Sequence, residues 1–337
     1  MTNATLALSL RGGRIEGWHR GSVAITDPDG RLLFSAGDPT MSTYLRSSIK
    51  MIQAIPVVRS GAADRFSFSD AELAICCASH DGAGYHLQTV SGMLATLGLT
   101  ESALRCGGHD PHDRTELGRL VCDHRKPGAL YNNCSGKHTG MLAACLAKGW
   151  PIENYLAADH PLQQWILELM AEYTGVPTEQ IDTATDGCSL PTFYVPLLAA
   201  SRTAARFVAD AIAGDQACSR IMQAVAAHPE MINAHGGFDT ELVRVMAGAG
   251  IAKRGAMAIF VVGVNSRKHG PIGVAVKLEE GDMAPMPPAV MRALEIAEIF
   301  TPEQLAQLER FRRIELKNWN GISVGEIRGE YEMERQG

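Results

Sequence analysis

The spacing of apolar positions changes twice along the chain, and each change marks a shift in expected structure. Near the start, Val23-Ala24-Ile25 and Leu32-Leu33-Phe34 flank the turn sequence Asp27-Pro28-Asp29-Gly30, which predicts a β-hairpin over 21–36. From about 69 to 249 the period is mostly helical. Ser69-Asp70 caps a helix running to Cys77, and helices follow over 86–97, ended by Gly98, and over 114–123. Asn133 or Ser135 opens a helix to Lys148 with Gly149 as C-cap, and Pro161 begins one that Gly175 ends. Alanine-rich helices fill about 192–227, and Asp239 is read as the cap of a helix to Met246. After 250 the text turns β-rich again. A buried strand is expected over 256–264, a polar turn over 265–270 and a return strand over 272–278. Helices over 288–300 and 302–312 follow, each with proline in its first turn, then a last strand over 322–328.

Strands at both ends and helices between them predict an α/β (α+β) fold. Its antiparallel sheet is built from both chain ends and flanked by helices. The expected division is a sheet part from 1–65 plus 250–337 and a mainly helical part from 66–249, forming one composite domain with its site in the cleft between them. A chain of 337 residues buries enough surface to need no staples. The eight cysteines include no C-x-x-C pair, so they read as reduced thiols of a cytoplasmic protein. A net charge of −6 gives no reason to expect nucleic acid or an anionic membrane as partner. No stretch approaches the ~20 apolar residues of a membrane span, and the N-terminal text has neither the basic nor the apolar region of a signal peptide.

The chemistry gathers at Arg46-Ser47-Ser48-Ile49-Lys50. On a helix, Ser47 and Lys50 at i and i+3 share a face. A serine hydroxyl becomes a nucleophile only when a base takes its proton, and a neutral lysine is such a base. At the ordinary lysine pKa only roughly one amine in 2,500 is neutral at pH 7, so burial or a second cation has to lower it. Pro56 is expected to kink or end this helix. Ser79-His80-Asp81 and Lys253-Arg254-Gly255 follow in the order in which penicillin-recognising serine hydrolases place a serine triplet and Lys-Thr-Gly. His80 stands where the triplet has Asp, and Arg254 where the last motif has Thr, which counts against β-lactam hydrolysis. In YNNCSGKHTGML, Cys134 at a helix start gains thiolate character, with Lys137 one turn on. Cys134, Cys188 of TDGCSLP and a nitrogen donor could hold a borderline cation such as zinc. Cys134 as the nucleophile is the alternative enzymatic reading.

RSSIKMIQA, ICCASHDGAGYH, CGGHDP, YNNCSGKHTGML, DHPLQQ, TDGCSLPTF, GGFDTELV and KRGAM resemble the rhizobial-type (class 3) L-asparaginases, labelled L-asparaginase II, over about residues 10–330. The resemblance implies a serine β-lactamase-like fold related to glutaminases, and a homodimer. It implies hydrolysis of L-asparagine to L-aspartate and ammonia, with Ser47 and Lys50 as nucleophile and base and Ser79 with Lys253 as a second pair. It also implies a substrate pocket that includes Arg46, His80, Cys134, Lys137 and Asp186, with Asp186 on the α-amino group. Cys134, Lys137 and Cys188 would hold a supporting zinc ion. Met51-Ile52 and Ala83 depart from the family pattern. Glutaminase activity, or silent binding of an amino acid or zinc, are the other readings of the same residues.

Overall fold

The computed structural model describes residues 2–336. Its main sheet has nine strands, all antiparallel, running β10-β11-β1-β2-β9-β8-β7, with β3 paired to β2 and β12 to β3. These strands are β1 (Ala4–Arg11), β2 (Arg14–Thr26), β3 (Leu32–Ala36), β7 (Gly250–Gly255), β8 (Ile259–Ser266), β9 (Gly270–Leu278), β10 (Arg313–Lys317), β11 (Ser323–Gly329) and β12 (Glu334–Arg335). A smaller sheet runs β4-β6-β5, from β4 (Ser42–Tyr44), β5 (Asp182–Thr185) and β6 (Pro191–Pro196). An antiparallel sheet drawn from both chain ends and covered by helices is the architecture expected from the sequence. Among the described residues no helix is long and apolar enough to cross a membrane. All eight cysteines are free, and only Cys122 is exposed.

The expected hairpin over 21–36 is present: Val23 pairs with Ala36 and Ile25 with Phe34. A hairpin before it was not legible. The first half of β2 is largely exposed and carries Arg14, Glu16, His19 and Arg20, so no apolar period marks it. Its turn is Gly12-Gly13, both at positive φ, as a two-residue hairpin turn requires. Later in the chain, Lys253 lies inside a strand, β7, not in a loop before one. The turn to β8 uses Met257 and Ala258 at positive φ, residues that give no turn signal. The helix Lys50–Arg59 runs on past Pro56, so it does not end there. It is buried along nearly its whole length, and its packing outweighs the single hydrogen bond that proline removes.

Two helical contacts position the site. The helix Asp70–Ile75 starts with a reciprocal capping box between Ser69 and Glu72 and delivers the chain to Ser79. The helix Ser135–Lys148 turns Gly136 and Gly140 toward that segment. A Cβ at Gly136 would stand 2.5 Å from the Ile75 carbonyl oxygen, and one at Gly140 2.6 Å from Cys76 Sγ. Two glycines four apart on one helix face allow this close approach. It brings Cys134, at the N-cap of that helix, to the end of Lys50.

Candidate active site

Arg46–Ile49 form a 3₁₀ turn that feeds the helix from Lys50, and the Lys50 N–H donates to the Ser47 carbonyl. Ser47 and Lys50 are therefore linked through a tighter turn than the α-helix expected, one in which i and i+3 eclipse. Arg46, entering the turn, has φ +51°, a conformation that costs a non-glycine residue energy and recurs at functional sites. The Ser47 side chain faces a cavity of about 560 Å³. Its hydroxyl has no hydrogen-bond partner among the described residues.

Beneath the cavity lies a cluster of amines and thiols. Lys50 is fully buried and donates to the Ala78 carbonyl, to Ser79 Oγ at 3.0 Å and to Cys134 Sγ at 3.1 Å. Burial lowers the Lys50 pKa, and the nearby Lys137 ammonium lowers it further. Lys137 donates to Cys188 Sγ at 3.3 Å. Burial pulls its pKa down too, but the Cys188 and Cys134 sulfurs and the Asp186 carboxylate together hold it above the usual lysine range. A hydrogen bond from Cys188, with the positive charges of Lys50 and Lys137, favours the Cys134 thiolate against the cost of burial. Asp186 sits beside Cys188 at 3.9 Å, and its other oxygen takes Arg46 Nε at 2.5 Å and the Gly187 N–H at 2.8 Å. Cys134, Lys137 and Cys188 thus lie together. Two thiols and an amine suit a borderline cation, provided Lys137 gives up its proton. Among the described residues no group of three or more His, Cys, Asp and Glu side chains could hold a metal, so a zinc site here needs the lysine.

A second amine is also fully buried. Lys253, on β7, contacts Asp239 Oδ2 at 3.4 Å and the Arg254 carbonyl at 3.2 Å. Burial, partly offset by Asp239, lowers its pKa to about 7. Asn233 Nδ2 donates to Asp239 Oδ1 at 2.6 Å, and Arg254 donates to the Asn233 side-chain carbonyl. The hydrogen bond to the Ser79 side chain comes from Lys50, while Lys253 is engaged by Asp239; the expected pairing put Lys253 on Ser79.

The cavity wall includes Ser47, Ser79, Asp81, His112, Asn233 and Arg254. Lys50 and Lys253 lie under it, fully buried. Arg46, Cys134, Lys137, Asp186 and Cys188 gather next to Ser47 and Lys50 but do not line it. His80 corrects an expectation. It is fully buried, its Nδ1 takes the Gly82 N–H at 3.2 Å, and its Nε2 is 2.9 Å from Ser135 Oγ. With both nitrogens engaged it braces the Ser79 loop, and it does not line the cavity. Asp239 corrects another: the helix Phe238–Met246 has Gly237 as its N-cap, and Asp239, one residue into it, is turned into the interior. Asp239, Asn233 and Arg254 were not assigned to the site from sequence. The signal that could have found Asp239 is its place in GGFDTELV, a helix start whose two glycines already provide the break.

A family model described as L-asparaginase II matches residues 7–329. A crystal structure of a Bacillus glutaminase, determined in 4.3 M NaCl, is similar at 13% identity and a TM-score of 0.36, over 83% of this chain and 91% of that one. No curated protein matches the chain.

Proposed function

The chain belongs to the L-asparaginase II family and is an amidohydrolase; from that premise we propose that it hydrolyses the side-chain amide of L-asparagine to L-aspartate and ammonia. The observation that carries the reading is the fully buried Lys50 amine, bonded to Ser79 Oγ and one turn from the unpartnered Ser47 hydroxyl.

Ser47 Oγ attacks the amide carbon and its proton passes to neutral Lys50. Backbone N–H groups of the Ser47 turn and of Gly255-Ala256, which border the same cavity, receive the oxyanion, an effect of about 3–4 kcal/mol where one such donor is removed. Ser79, relaying from Lys50 and from Lys253, hands a proton to the leaving nitrogen, and the C–N bond breaks to release ammonia. Water then attacks the Ser47 ester, which frees aspartate and restores the hydroxyl. Asp186 takes the substrate α-ammonium while Arg46, already paired with it, meets the α-carboxylate. Where zinc is bound, Cys134, Lys137 and Cys188 hold it, and it supplies a fixed positive charge beside the substrate. A homodimer is part of the same proposal, to be read by light scattering.

Ammonia release from L-asparagine and from L-glutamine, with and without added zinc, tests the substrate. Faster release from glutamine would replace asparaginase with glutaminase. Ser47→Ala is expected to keep the fold and cut turnover roughly 10⁴-fold or more; normal turnover would remove Ser47 from the mechanism. The thiolate-favouring surroundings of Cys134 support a second reading, with sulfur as nucleophile. Cys134→Ser separates the two: weaker binding of substrate or zinc fits the first, and near-total loss of kcat with Ser47→Ala still active fits the second.

A further inference from the structure

Lys253 and Asp239 are both fully buried, and they come from different elements, β7 and the helix Phe238–Met246. A buried carboxylate is retained only where charge and hydrogen bonds compensate it. Here the compensation forms a chain. Arg254, partly exposed in the cavity wall, donates to Asn233 Oδ1; Asn233 Nδ2 donates to Asp239 Oδ1; Asp239 Oδ2 accepts from Lys253 Nζ. Successive residues of a strand point to opposite faces, so Lys253 goes under the cavity floor and Arg254 into its wall. Gly237 makes room for the link, since a Cβ there would clash with Asn233 Nδ2.

We propose that Asp239 is a positioning residue that holds the Lys253 amine in place and governs its protonation, with Asn233 joining that carboxylate to the Arg254 guanidinium at the cavity. This rests on the proposed function for its effect on catalysis, but the contact itself does not depend on which amide is cleaved. The charged and titratable groups facing Lys253 are Asp239, Arg254 on its own strand, Lys50 from the helix below, and the Cys77 thiol after the helix Asp70–Ile75. Of these only Asp239 favours the ammonium while ionised beside a neutral thiol. Removing its charge therefore makes Lys253 easier to deprotonate.

The test is the pH profile of kcat/KM for L-asparagine together with a [ε-13C]lysine NMR titration, the Lys253 signal being assigned with Lys253→Ala. In Asp239→Asn, the basic limb, set by loss of the proton that Lys253 delivers, and the Lys253 titration are expected to move together to lower pH by about 1–3 units. In Asp239→Glu both stay near the wild-type position, even where the rate falls. If Asp239→Asn fails to fold, Asp239→Ala is read the same way. A Lys253 titration that stays put in the charge-removing variant overturns the proposal. So does a rate that falls equally at every pH with no movement of the limb, which marks a packing role only. If the wild type releases no ammonia from any amide, the functional reading fails, and the NMR titration still decides this one.

Discussion

Two amines are fully buried, Lys50 bonded to Ser79 and Lys253 to Asp239, and the protein solves the same electrostatic problem for them in different ways. Lys50 is surrounded by sulfur: Cys134 touches it, and Cys188 and Lys137 lie beyond. Lys253 is faced by a carboxylate, Asp239, itself held by Asn233. Thiols can be neutral, so the first pocket can take up or release a proton without stranding a charge. A carboxylate between two cations stays ionised: although burial opposes it, Lys253 and Arg254 hold the Asp239 pKa below the ordinary range. The contrast teaches that burial lowers the pKa of the amine in both pockets, while the partner decides how firmly the ammonium is defended. A base that must take a proton from Ser47 suits the first pocket. An amine poised near neutrality, able to give a proton back, suits the second.

The sharpest break of the comparison is Lys50→Met against Lys253→Met. Lys50→Met removes the general base and should lower kcat by about 10²–10⁴-fold, with a smaller loss of stability, because Cys188 and Lys137 still compensate the Cys134 sulfur. Lys253→Met leaves Asp239 ionised and buried, a situation that costs about 3–5 kcal/mol. Arg254 Nε, 3.9 Å from Asp239 Oδ2, should keep the loss toward the lower end. Urea unfolding checks both, and equal stability of the two variants would erase the distinction.

Next in size is Asp186→Asn. The ion pair with Arg46 lies beside the sulfur pocket, and hydrogen bonds to charged groups contribute about 1.5–3 kcal/mol. KM should rise roughly tenfold or more while kcat holds, since the lost contact binds ground and transition states alike. A fall in kcat alone would place Asp186 in the chemistry.

A further effect is thermodynamic. Folding lowers the Lys253 pKa from 10.5 to about 7. Between those values the unfolded chain binds a proton that the folded chain does not, so this residue makes unfolding free energy rise with pH from about 7 to 10.5. Below pH 7 the amine is protonated in both states and its contribution is flat. The double variant Lys253→Met/Asp239→Asn should lose that part of the slope. An unchanged slope would mean that Lys253 titrates normally in the folded chain.

What sequence could reveal follows the reach of each interaction. Ser47 with Lys50, Cys134 at its helix start, Gly149 and Gly175 as C-caps and the hairpin over 21–36 are local, and local spacing carries them. The bond from Lys50 to Ser79 spans 29 positions and that from Lys253 to Asp239 spans 14, across two elements whose packing no motif states. Asp239 was misread because an aspartate at a helix start is ordinarily a cap, and only burial shows that it faces inward. His80 was misplaced for the converse reason. A polar residue beside a catalytic serine looks available to a ligand until its two nitrogens are seen to be engaged by Gly82 and Ser135.

The central claim is that a serine served by buried amines, and not the neighbouring sulfur, takes the acyl group. Rapid acid quench of enzyme turning over L-asparagine, followed by peptide mass mapping, reads this directly. The account predicts a β-aspartyl ester on the peptide that carries Ser47; a thioester on Cys134, or an ester on Ser79 with Ser47 unmodified, would contradict it.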